Sequence, residues 1–128
     1  MMNLQKWAPR WLSVLRIVAA LLFLEHGLQK VFGFPAPGPA TMSPILWIQA
    51  AIEIFGGAAL LIGLYARPVA FILCGDMAAA YFMAHFPRSL YPAVNGGDAA
   101  VLFCFIFFYI ALAGAGPWSF DDARRARP

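Results

Sequence analysis

Four stretches of this chain read as nearly unbroken apolar runs, at roughly residues 12–33, 45–65, 68–86 and 99–116. A helix crossing a hydrocarbon core about 30 Å thick needs about 20 mostly apolar residues, and each run is of that order. The breaks between them are sharp. Residues 34–44 hold four prolines, which remove backbone donors and fix φ, so no helix continues through them. Ser43-Pro44 then reads as an N-cap followed by the first helical position. Only Ala66 and Arg67 separate the second run from Pro68, a tight helical hairpin. Residues 87–98 form a second polar loop, in which Asn95 or Asp98 is placed to cap the fourth helix. The first run starts with basic residues as a signal peptide does, but it is too long and lacks a small-residue cleavage site ahead of Glu25-His26, so it is expected to stay as a span. The pattern predicts an all-α, integral membrane four-helix bundle, a single membrane domain over residues 1–128.

Composition strengthens this reading. Counting Gly in place of Tyr, apolar residues make up about 67% of the 128, against about 45–50% in soluble domains. Charged residues are 12%, about half the usual share. Only eight of them lie between residues 11 and 120, four of each sign, so the net charge of +3 comes from the tails. A chain this apolar cannot build the clustered basic surface that nucleic acid requires, and no nucleic-acid partner is expected. Membrane lipid is. Cys74 and Cys104 sit in separate apolar runs without Cys-x-x-Cys spacing or a neighbouring His. They read as lipid-facing or core filler.

Charged groups inside a span cost about 2.5–3.5 kcal/mol each on insertion scales and usually face a bundle interior or a cavity. Their depth is therefore informative. At 1.5 Å per residue, Glu25 and His26 fall about 5 Å to the outer side of the midplane and Lys30 about 12 Å. By the same rise, Gln49 lies about 9 Å outward, Glu53 about 3 Å and His85 about 12 Å, with Asp76 near the midplane. Asn95 and Asp98 open the fourth helix at the outer level. His26 with Lys30, and Gln49 with Glu53, share helix faces at i, i+4, so two dyads are placed to meet across the first and second helices. One polar cluster from all four helices is expected. It reads either as electrostatic glue or as an outward-opening pocket that binds a polar headgroup or relays protons. Arg16, near the inner boundary, is expected to reach lipid phosphate. Gly56, Gly57, Gly63, Gly75 and Ala78 to Ala80 are expected to permit close helix approach, and Phe103 to Phe108 to face lipid or another subunit.

The motifs His26-Gly27-x-x-Lys30-Val-Phe-Gly33, Glu53-x-x-Gly56-Gly57-x-x-Leu60-Leu61-x-Gly63-Leu64-x-x-Arg67, Asn95-Gly96-Gly97-Asp98 and Gly114-x-Gly116-Pro-Trp-Ser-Phe-Asp121 together resemble the DoxX family of small four-helix bacterial membrane proteins. The resemblance runs from Arg16 to Asp121, and the second motif is the most specific. It implies a multi-pass protein of the bacterial plasma (inner) membrane linked to redox chemistry, since relatives include the membrane subunit of thiosulfate:quinone oxidoreductase. On that basis the expected role is a quinone-interacting subunit of an oxidoreductase. Glu53 and His26 would form a proton relay, while Lys30, Gln49, Asp76, His85, Asn95 and Asp98 would line the ligand site. The alternatives are a non-catalytic assembly or scaffold subunit and a small dimeric transporter or channel. The chain has no nucleotide motif, matched haem-ligand pair or cluster-binding cysteines, so no tightly bound metal, haem or nucleotide is expected. The electron carrier would be a diffusible quinone or sit on a partner, either a membrane or peripheral redox protein; a homo-oligomer is the other expectation.

Lys and Arg outside the runs divide six to one, with Lys6, Arg10, Arg67, Arg124, Arg125 and Arg127 on the side of the tails and Arg88 opposite. The bias predicts cytoplasmic N- and C-termini, and interfacial Trp and Tyr at the run ends agree. A reporter active only in the cytoplasm should work when fused to the C-terminus and fail when placed within residues 87–98. The reverse pattern would overturn the orientation and the depths built on it.

Overall fold

The structure, a computed structural model, describes residues 2–127 and is entirely helical apart from its turns and loops. A short 3-10 turn, Leu4–Trp7, leads into the first long helix, Ala8–Phe32. The second runs Pro44–Ile62 and the third Ala66–His85, and a fourth spans Asp98–Ala113. The first three are long and apolar enough to cross a membrane, whereas the fourth, at 16 residues, is shorter. Ser43 caps the second helix as expected, its hydroxyl accepting from Leu46 N at 3.4 Å, with Pro44 at the first position. The third helix starts ahead of Pro68, because its first turn has no use for the N–H that proline lacks. The turn itself is Gly63-Leu64-Tyr65. The fourth helix starts at Asp98 without a side-chain cap, so neither Asn95 nor Asp98 plays that part.

Two antiparallel hairpins make the body. The first helix packs along the second, and the third along the fourth, in two contacts of similar extent. At the centre Phe23 of the first helix meets Phe103 and Phe107 of the fourth edge to face, with ring centroids 5.7 and 5.0 Å apart. Phe103, Phe107 and Ile110 are buried while Phe105 and Phe108 are exposed. The Phe-rich stretch is thus divided between core and surface, because a 3.6-residue period turns those three positions inward together. Exposed large residues such as Phe55, Phe71, Leu102 and Phe105 line the outside, the inside-out distribution of a surface that meets hydrocarbon.

Glycine enables one close approach beside the polar residues. A Cβ on Gly27 would stand 2.8 Å from Ile54 Cγ1 and 3.0 Å from Glu53 Cβ, so only a bare Cα lets the first two helices come together there. Gly75 does not share this role: among the described residues nothing lies within 4 Å of where its Cβ would be.

At the end that holds both tails, the segment after the fourth helix folds back as a clasp. Arg16 is fully buried, and its guanidinium donates to the Ala115 carbonyl, to the Trp118 carbonyl at 2.7 Å and to the Leu61 carbonyl at 3.5 Å. The expectation that it reaches lipid phosphate is overturned, because a carbonyl freed at the end of the second helix and two from the non-helical segment after the fourth give its N–H groups acceptors inside the protein. Ser13 Oγ accepts from Trp118 N at 3.1 Å. Gly63 turns the chain at φ 72°, where a side chain would be both strained and crowded against Ser119. The Asp121 carboxylate then accepts from the N–H groups of Tyr65 and Ala66, both at 2.8 Å, and Asp121 N donates to Gly63 O at 3.0 Å. A carboxylate from the C-terminal segment therefore caps the third helix, where the helix dipole favours negative charge.

Hydrogen bonds to a charged group contribute about 1.5–3 kcal/mol each. Asp121→Ala should therefore lower the thermal unfolding temperature in mild detergent by several degrees. Asp122→Ala, which removes only the exposed 3.7 Å pair with Arg125, should leave it nearly unchanged. Equal losses from the two variants would remove the capping role.

Candidate functional site

The polar residues inside the helices assemble at the junction of the first three. Lys30, on the last turn of the first helix, places Nζ 2.6 Å from both carboxylate oxygens of Glu53. Glu53 is 1% exposed and its partner's side chain 16%. The pair is closed toward the second helix and partly open on the lysine side. An isolated charge at this depth would be prohibitive, so each member accounts for the other's ionised presence.

Glu53 lies in a π-helical turn, Ile52–Gly56. Such a turn holds an extra residue and re-aims the side chains around it, and π turns are frequent at functional sites. One α-turn earlier on the same helix, Gln49 lies beside the Asp76 carboxyl of the third helix. Asp76 is within electrostatic reach of both Lys30 and Glu53. Its Oδ2 is buried with no hydrogen-bond partner among the described residues. A buried acceptor without a donor is uncommon and calls for a reason. His26, four residues before Lys30, sits edge-on to Phe103 at 6.2 Å between ring centroids and is close enough to Lys30 and Glu25 to feel their charges.

His85 and Asn95, anticipated in the same cluster, form a separate group at the loop end. Asn95 is 2% exposed. Its amide donates to Tyr81 Oη at 3.2 Å and to Ser89 O at 2.9 Å, while its Oδ1 accepts from Gly97 N at 2.8 Å. His85 Nδ1 is 3.1 Å from Asn95 O, and its ring stacks on Tyr81. These contacts satisfy the backbone of the 87–97 loop. Asp98 is exposed at the start of the fourth helix and joins neither group. The anticipated single cluster is therefore two: His26, Lys30, Gln49, Glu53 and Asp76 in one, Tyr81, His85, Ser89 and Asn95 in the other. Tyr81 was not anticipated, and its place four residues before His85 on one helix face is the signal that marks it. No three His, Cys, Asp or Glu side chains converge as a metal site among the described residues.

The DoxX family model matches residues 11–86, a stretch that contains the whole Lys30–Glu53–Asp76 group. This chain belongs to the DoxX family. A protein of Haemophilus influenzae, described as uncharacterized, is similar to it, with 39% identity over 129 residues that cover 95% of this chain and 96% of the relative. No solved structure matches. Family membership together with three helices of spanning length makes this DoxX-family chain a multi-pass bacterial membrane protein.

Removing one member of a buried ion pair strands the other, at a cost of about 3–5 kcal/mol. Glu53→Gln and Lys30→Met should each lower the unfolding temperature in detergent more than the double variant does. Additive losses in a double-mutant cycle would mean that the pair is not coupled.

Proposed function

We propose that this DoxX-family protein is a quinone-interacting membrane subunit linked to an oxidoreductase, with its ligand and proton site at the Lys30–Glu53–Asp76 group. In this reading all four long helices span the membrane and both termini are cytoplasmic, which places the group in the outer half of the bundle. The observation that carries it is the incomplete hydrogen bonding of the group: an unpartnered, buried Asp76 Oδ2 beside an ammonium that is still partly accessible. Electrostatic glue alone gives that open carboxylate oxygen no task.

The donor and acceptor set suits a quinone. Lys30 has three N–H donors, and both oxygens of Glu53 approach it, so donor capacity remains for a carbonyl. A protonated nitrogen of His26 supplies another donor. Asp76 Oδ2 accepts from a hydroxyl, so one group recognises both the acceptor-bearing oxidised form and the donor-bearing reduced form. A bound quinone would supply two-electron redox chemistry, and the residues here would hold or move the accompanying protons: Glu53 and His26 as relay, Asp76 and Gln49 as the positioning pair. His85 and Asn95 would shape the loop above it.

A scaffold role is favoured by one feature, the bidentate closure of Lys30 on Glu53 at 2.6 Å, which by itself requires no ligand. Purification in mild detergent followed by mass spectrometry for bound quinone and partner chains separates the readings. Quinone should co-purify with the intact protein and fall about tenfold in Asp76→Asn, a change that nearly preserves shape, at equal yield of folded protein. Full retention of quinone, or none in either form, would leave the scaffold reading in place.

A further inference from the structure

Cysteine is scarce in this chain. Its two copies, 30 positions apart on different helices, meet: Cys74 Sγ of the third helix and Cys104 Sγ of the fourth are 3.6 Å apart, and both are free thiols. Neither is near a helix end. Cys74 lies mid-way along Ala66–His85 and Cys104 mid-way along Asp98–Ala113, across the extensive contact between the third and fourth helices. Sequence spacing alone gives no hint of a pair, because only the antiparallel return of the fourth helix on the third brings the two positions level.

We propose that Cys74 and Cys104 form a redox-active dithiol within the membrane, oxidised to a disulfide by a lipid-soluble quinone. A bonded pair has sulfurs about 2.05 Å apart. Closing the gap takes about 1.5 Å of combined movement, within the reach of side-chain rotation and a small helix shift. The step balances: both S–H bonds break, one S–S bond forms, and the two electrons and two protons released reduce quinone to quinol. The oxidant has a route to the pair. A surface cavity of about 260 Å³, bordered by Met77, Tyr81, Phe82, Ala100, Cys104 and Phe105, opens beside Cys104 on the face that meets lipid. Its walls are apolar throughout. This chemistry is separate from the polar group around Glu53 and does not depend on it.

The test uses the full chain in membrane vesicles, reduced with dithiothreitol, washed under anaerobic conditions and then exposed to a decyl benzoquinone with every ring position substituted. Full substitution blocks direct addition of thiol to the ring, leaving electron transfer as the reaction. Unfolding in detergent with excess N-ethylmaleimide and intact-mass measurement then counts free thiols. The expected result is a monomer that has lost two hydrogens and takes up no maleimide, one quinol formed per disulfide, and full recovery of both thiols on dithiothreitol treatment. Cys74→Ala and Cys104→Ala should each take up one maleimide and form no quinol above that seen in vesicles lacking the protein. Two maleimides on the quinone-treated native chain would overturn the proposal, as would equal quinol formation by the single-cysteine variants. Because the native chain provides the primary readout, a folding defect in either variant does not obscure the result.

Discussion

A guanidinium cut off from water must find its acceptors inside the protein, and much of this fold follows from how Arg16 does so. Its hydrogen bonds gather carbonyls from the end of the second helix and from the segment after the fourth. The Leu61 carbonyl is available because a helix end leaves it without an intrahelical partner, and those of Ala115 and Trp118 because they lie in the non-helical segment beyond the fourth helix. The same segment carries Asp121 to the start of the third helix. One buried cation and one carboxylate therefore tie all four helices together at one end, with no ion pair needed between them. Ser13 and Gly63 complete the arrangement, one by bonding the returning backbone and the other by turning tightly beside the guanidinium.

The opposite half obeys the same constraint with a different outcome. Lys30 and Glu53 satisfy each other, and the loop-end group around Asn95 satisfies its own backbone. Asp76 is the point at which the polar chemistry does not close. The π turn that carries Glu53 and the bare Cα of Gly27 act on the same few ångströms: the first alters the direction of the carboxylate, the second lets the helix bearing Lys30 come near enough to meet it. A larger residue at position 27 would separate the two charges without touching either.

The sequence made the long helices legible because hydrocarbon imposes apolar length directly, and prolines and glycines mark where that length ends. The i, i+4 spacing of His26 with Lys30 and of Gln49 with Glu53 placed four of the five central polar residues correctly on shared faces. Which residues share a helix face was readable, but which neighbouring element each face meets was not. Asn95 and His85 serve the loop, because a buried backbone turn takes up their hydrogen bonds first. Arg16 was misread because a cation near a membrane boundary has an obvious partner in lipid phosphate, whereas its real acceptors are carbonyls 45, 99 and 102 residues away. The cysteines were invisible as a pair for a related reason: which apolar positions touch across two helices is decided by packing, and an almost uniformly apolar sequence does not encode it in its periodicity.

The length of the fourth helix has a consequence for the lipid around it. Sixteen residues rise about 24 Å, against about 37 Å for the 25 residues of the first helix. In the four-span reading proposed above, these two helices offer the bilayer walls of unequal height. A bilayer deforms to match such a wall at a cost of fractions of a kcal/mol per ångström, so in that reading lipid beside the fourth helix is compressed relative to lipid beside the first. That asymmetry favours a tilted seat in a uniform membrane. It also makes the short flank the place where replacing lipid with another protein relieves the most elastic strain.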